Sequence, residues 1–113
     1  MALHEKIKCA KIAEDIFVFL LEKGFKKVSV TIETNEKETV FTVSLHELNE
    51  DFVASFENQL FCKRDLSVEE YGWEVMIEDD SEFELDHLGY LLDSCIITKS
   101  KDQHQIVLIR KNR

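Results

Sequence analysis

The stretch EDDSEFELDH, residues 78–87, sets Asp79, Asp80, Glu82, Glu84 and Asp86 close together along the chain. Carboxylate oxygens are the right ligands for a hard cation such as Ca²⁺. Asp79, Asp80 and Glu82 are therefore the candidate metal residues. The spacing departs from a hand-type calcium loop, which needs a central glycine and a distal glutamate, and no bound metal is expected. From Asp65 to Thr98 there are eleven carboxylates and no Lys or Arg, so no single pair stands out for acid–base work. His87 precedes Cys95 by eight residues, and an imidazole beside a thiol can serve as base and nucleophile. Cys95 opens an apolar run, however, and a core-facing side chain is the expected reading. His4, His46 and His104 are scattered. Cys9, Cys62 and Cys95 form no CxxC and no metal-type spacing, and read as small hydrophobes of a reducing cytosol. No catalytic residue and no cofactor is expected from these patterns.

EEYGWEVM, residues 69–76, is the most distinctive patch. Tyr71 and Trp73 are large amphipathic side chains set among acids. Exposed, they would anchor an interface; buried, they would close one end of the core. Together with Glu74 and Glu78 they are the candidate interaction residues. The formal net charge is −9. The acidic run from 65 to 98 repels phosphate backbones, so nucleic acid is not an expected partner. A protein with a basic surface would be steered toward it. The alternative is a solvated acidic face that keeps the chain soluble.

Such residues need elements to position them. The chain has 113 residues, which suits one domain spanning 1–113, and 44% are apolar. No apolar stretch is long enough for a membrane helix, and the charged start MALHEKIKCA lacks the block of a signal peptide. A cytoplasmic location is expected. There is no Pro and there are only three Gly, so periodicity is the main guide. Ile7, Ala10, Ala13, Ile16, Phe17, Leu20 and Leu21 have helical spacing over 3–23, with Lys8, Lys11, Glu14, Asp15 and Glu22 mostly on the other side. Gly24 is a plausible left-handed stop. KKVSVTIET and TVFTVSL alternate around the polar turn NEKE, which predicts a hairpin. Asn49 caps a predicted helix over 50–63 carrying Phe52, Phe56 and Leu60. Ser67 with Glu70, and Ser81 with Glu84, predict short helices near 68–77 and 82–93; Gly72, Val75 and Ile77 leave an extended form open for the first. CIITK and QIVLIRK flank SKDQH as a second hairpin. The predicted fold is an α+β two-layer sandwich, a mostly antiparallel sheet of about four strands covered on one face by helices. The strand near 105–110 is expected at a sheet edge, where it offers a route to a homodimer.

The order of elements, and residues 11–45 and 85–110 in particular, resembles the GHKL-type ATPase fold of histidine kinases and anti-sigma-factor kinases, most closely the small anti-sigma variety. YGWE followed by the LG of residues 88–89 also resembles uncharacterised small bacterial proteins. The resemblance to the ATPases implies an acid and, one turn on, an Asn on the first helix that help hold Mg²⁺. Those positions fall on Asp15 and Phe19. It implies an Asp-x-Gly-x-Gly turn that reads adenine, where this chain has SLHELNED without glycine. It also implies a glycine-rich phosphate loop, of which Gly89 alone is kept, among Asp86, His87 and Asp93. Asp15 and Gly89 are thus relic candidates for a cofactor site. A Phe offers no oxygen to a hard cation, and phosphates need close backbone approach. The expected function is a non-catalytic protein-interaction or regulatory domain on a degenerate ATPase-like scaffold. An ATP-binding anti-sigma-like kinase and an acidic cation-binding domain are the alternatives.

Overall fold

The computed structural model describes residues 3–45, 51, 54, 56, 66, 88–99 and 104–112. The long helix α1 spans Leu3–Glu22. Four strands follow: β1, Val28–Thr34; β2, Glu38–Leu45; β3, Ser94–Lys99; and β4, His104–Lys111. All neighbours pair antiparallel, in the order β1-β2-β4-β3. With α1 on one face, the architecture is an α+β sandwich on an open four-stranded sheet. Asp51, Ala54 and Phe56 are helical, as is Leu66 between two of the predicted helices; the rest of 50–63, the whole of 68–77 and residues 82–87 of the third predicted helix lie outside the described residues. Leu88 and Gly89 form a helical turn that ends before Leu92, short of the predicted end at 93.

The alternation read from the sequence sets the sheet's inner face. Thr39, Phe41, Val43 and Leu45 of β2 are buried, and they face Arg110, Leu108, Ile106 and His104 of β4 across the register. From α1, Cys9, Ile12, Ala13, Ile16, Phe19 and Leu20 close over them, joined by Phe25, Phe56, Leu88, Leu91 and Leu92. Removing a side chain of this size from water contributes about 1.5–3 kcal/mol.

Two expectations are corrected. β4 is not an edge strand: it lies between β2 and β3, and the edges among the described strands are β1 and β3. Its apolar residues need cover from α1, which holds it at the centre. The buried stripe of α1 is also turned from the predicted one. Ile7, Ala10 and Leu21 are exposed, whereas Lys8 and Asp15 are buried. Apolar residues surround most of this helix, so spacing alone cannot choose which side packs.

The end of α1 is built by local backbone chemistry. Gly24 has φ +94°. Its N–H donates to the Leu21 carbonyl at 3.1 Å, and the Phe25 N–H donates back to the Leu20 carbonyl at 3.3 Å. This pair satisfies carbonyls that a helix end leaves open and turns Phe25 into the core beside Leu20. The β1–β2 turn is organised by Asn35, whose side-chain oxygen accepts from the N–H groups of Lys37 (2.7 Å) and Glu38 (2.9 Å). The Asn112 amide donates to the carbonyls of Asn35 and Glu36, tying the C-terminal end to that turn.

A Cβ added at Gly24 would meet nothing within 4 Å, so the cost of substitution there is conformational alone. Gly24→Ala is expected to lower unfolding free energy by about 1 kcal/mol and Gly24→Asn by less, as read from urea midpoints at unchanged slope.

Candidate functional site

The chemistry-bearing positions on described elements are Asp15 and Phe19 of α1, Gly89 with its neighbours, and the polar groups buried on the sheet's inner face. Asp15 sits in the third quarter of α1 and is only 9% exposed. The Lys11 ammonium, one turn earlier, lies 3.4 Å from its carboxylate and 3.8 Å from Glu14. Burial pushes the Asp15 carboxyl above its ordinary range. Lys11 opposes the shift by charge and hydrogen bonding, and Glu14 adds slightly to it.

Phe19 follows Asp15 by one turn, and its side chain offers no oxygen ligand. Its ring is tilted against Phe56, with centroids 6.4 Å apart, and the Lys23 ammonium lies 5.4 Å from its centroid. Phe19 lines a cavity with Ile16, Leu20, Val43, Phe56, Leu88, Ile106 and Leu108. The cavity holds about 10 Å³, about the room of one water molecule, and every lining residue is apolar. Leu88, next to Gly89, shares this lining; Asp15 does not. Gly89 itself is buried in its helical turn, where the Leu92 N–H reaches back to its carbonyl at 3.5 Å. Among the described residues, Phe19 and Leu88 thus meet in aromatic and aliphatic packing.

The sequence reading overlooked Arg110. Its side chain is 1% exposed. Nε donates to Glu5 Oε1 at 2.6 Å, Nη2 to Glu5 Oε2 at 3.2 Å, and Nη1 to the Leu91 carbonyl at 2.7 Å. One guanidinium joins the start of α1, the centre of the sheet and the 88–92 turn. Cys9 Sγ lies 3.9 Å from the same carboxylate and 3.8 Å from Thr39 Oγ1. The signal was present in HQIVLIRK: strict alternation puts Arg110 on the face of Ile106 and Leu108. His104 is the other buried polar group of β4, and neither ring nitrogen has a hydrogen-bond partner among the described residues. Asp93 also has a structural use, since its carboxylate accepts from the Lys111 N–H at 2.6 Å and its own N–H donates to the Ile109 carbonyl. Cys95 is half-buried and packs against the core.

Among the described residues no group of three His, Cys, Asp or Glu side chains could hold a metal ion. Asp79, Asp80, Glu82, Tyr71, Trp73, Glu74 and Glu78 lie outside the described residues, as does His87. No described helix is long and apolar enough to cross a membrane.

Because the folded state raises the Asp15 pKa above 3.8, it binds that proton more tightly than the unfolded chain. Stability from this group therefore falls as pH rises through the window above 3.8, and ionised Asp15 is a cost at neutral pH. Asp15→Asn is expected to stabilise the protein at pH 7, with the gain shrinking as the pH falls below 3.8; urea titrations at pH 7 and in that acid range measure it.

Comparison of the chain with protein-family models, with curated proteins and with solved structures finds no match, so the functional reading rests on the geometry.

Proposed function

We propose that this chain is a non-catalytic protein-interaction or regulatory domain, built on a scaffold that resembles the GHKL-type ATPases and has lost their nucleotide chemistry. The observation that carries the reading is Phe19. It occupies the position where the resemblance calls for a cation-holding Asn, and it is packed against Phe56 over an apolar cavity of about 10 Å³. A triphosphate with its metal needs oxygen ligands and open backbone N–H groups. A ring packed on a ring supplies neither, and Leu88 adds another apolar side chain to the same lining. The recognition surface in this reading is the acidic stretch 65–98, with Tyr71 and Trp73 as anchors beside Glu74 and Glu78. Its partner is a protein with a basic surface, drawn by a stretch that carries eleven carboxylates and no Lys or Arg.

Thermal melting separates this reading from the two ligand-binding ones. A ligand present at 100 times its Kd stabilises the folded state by about 2.7 kcal/mol, which moves the midpoint of a domain this size by roughly 10 °C. Saturating ATP–Mg²⁺ and Ca²⁺ are each expected to leave the midpoint unchanged. A shift with ATP–Mg²⁺ would establish a working nucleotide site instead, and one with Ca²⁺ a cation site in the acidic stretch.

A further inference from the structure

The outer side of α1, directed away from the sheet, carries a second pattern that packing among the described residues leaves exposed. His4, Ile7, Lys11, Glu14, Val18 and Leu21 follow one another at intervals of three, four, three, four and three residues. That is the spacing of a helix-pairing seam. Its apolar members stay in water: Ile7 is 48% exposed, Val18 42% and Leu21 58%. The helix is 20 residues long, about 30 Å, which is enough for several layers of contact.

We infer that this seam is a self-association surface, on which α1 pairs antiparallel with α1 of a second copy of the chain about a two-fold axis. The charges choose both occupant and direction. In the antiparallel register, the layers are Ile7 against Val18 of the other copy, Lys11 against Glu14, and His4 against Leu21, each repeated by symmetry. Both central layers then join opposite charges, and the flanking layers join Ile to Val. A parallel pair in register sets Lys11 against Lys11 and Glu14 against Glu14, which is repulsive. A membrane surface is a poor fit, because Glu14 stands in the middle of the stripe and the chain carries a net charge of −9. The contact is isologous, so it closes at two subunits. It uses one helix per subunit and falls at the small end of interface sizes, so the dimer forms at micromolar concentrations and above. This inference stands apart from the proposed function, since it draws on neither the acidic stretch nor the apolar cavity.

Sedimentation velocity of the full chain over a range from about 1 to 200 μM tests it. The expected result is a concentration-dependent rise from monomer to twice the monomer mass. Val18→Glu, at an exposed position, is expected to weaken association at least about tenfold with an unchanged circular dichroism spectrum. Glu14→Lys, also at an exposed position, puts a second cation opposite Lys11 in each central layer and is expected to weaken it too. Equimolar Glu14→Lys and Lys11→Glu chains are expected to recover dimer as the mixed pair. A chain that stays monomeric throughout overturns the inference, and so does a dimer that persists undiminished in Val18→Glu. A dimer indifferent to Glu14→Lys overturns the antiparallel register.

Discussion

One buried cation holds this fold's separate pieces in register. Arg110 projects from the central strand β4 into the layer between sheet and helix, where it is almost wholly out of water. A guanidinium in that setting is tolerable only when its donors are satisfied and its charge is matched. Glu5 supplies the charge with both oxygens, and the Leu91 carbonyl takes a third donor. The requirement acts in three directions. It pins the first turn of α1 over the far end of β4, it places the turn at 88–92 beside that end, and it forbids β4 from sliding by one residue. A slip of that kind would turn Arg110 to the open face and bring Lys111 inward.

From that anchor the rest of the core follows by ordinary packing. α1 lies along β2 and β4 because their inner faces hold Phe41, Val43, Leu45, Ile106 and Leu108. The left-handed stop at Gly24 then returns the chain as β1, which pairs along its whole length with residues 39–45 of β2. Phe19 and Phe56 fill the space between helix and sheet, leaving room for hardly more than a water. On the back of α1, Ile7, Val18 and Leu21 stay exposed as an apolar stripe.

Much of this was legible in the sequence. The first hairpin showed as alternation, because a strand of an open sheet has one wet and one dry face, and the second showed as two apolar runs around the polar turn SKDQH. The stop at Gly24 showed because only glycine takes that backbone shape easily. What failed was rotational. α1 is apolar on nearly every side, so the period gave its helicity and hid which stripe would be buried; Cys9, Ile12 and Phe19 won over Ile7 and Leu21. Strand order was also hidden, since a hairpin's two strands look alike until a partner chooses between them. β4 took the centre because it carries more buried residues than β3 and the charge that needs burial with them. At the candidate site, the resemblance led to Asp15 and Gly89, whereas the strongest polar contact among the described residues lay at Arg110, which a count of inward positions would have found.

The tie between Glu5 and Arg110 is tested most directly by a double-mutant cycle in urea, with Glu5→Ala, Arg110→Met and the pair. If the buried guanidinium depends on Glu5, Glu5→Ala loses about 3 kcal/mol, and the double variant loses less than the two single losses combined by at least about 1 kcal/mol. Strictly additive losses, or a Glu5→Ala protein within about 0.5 kcal/mol of the parent, would contradict the claim that this ion pair organises the fold.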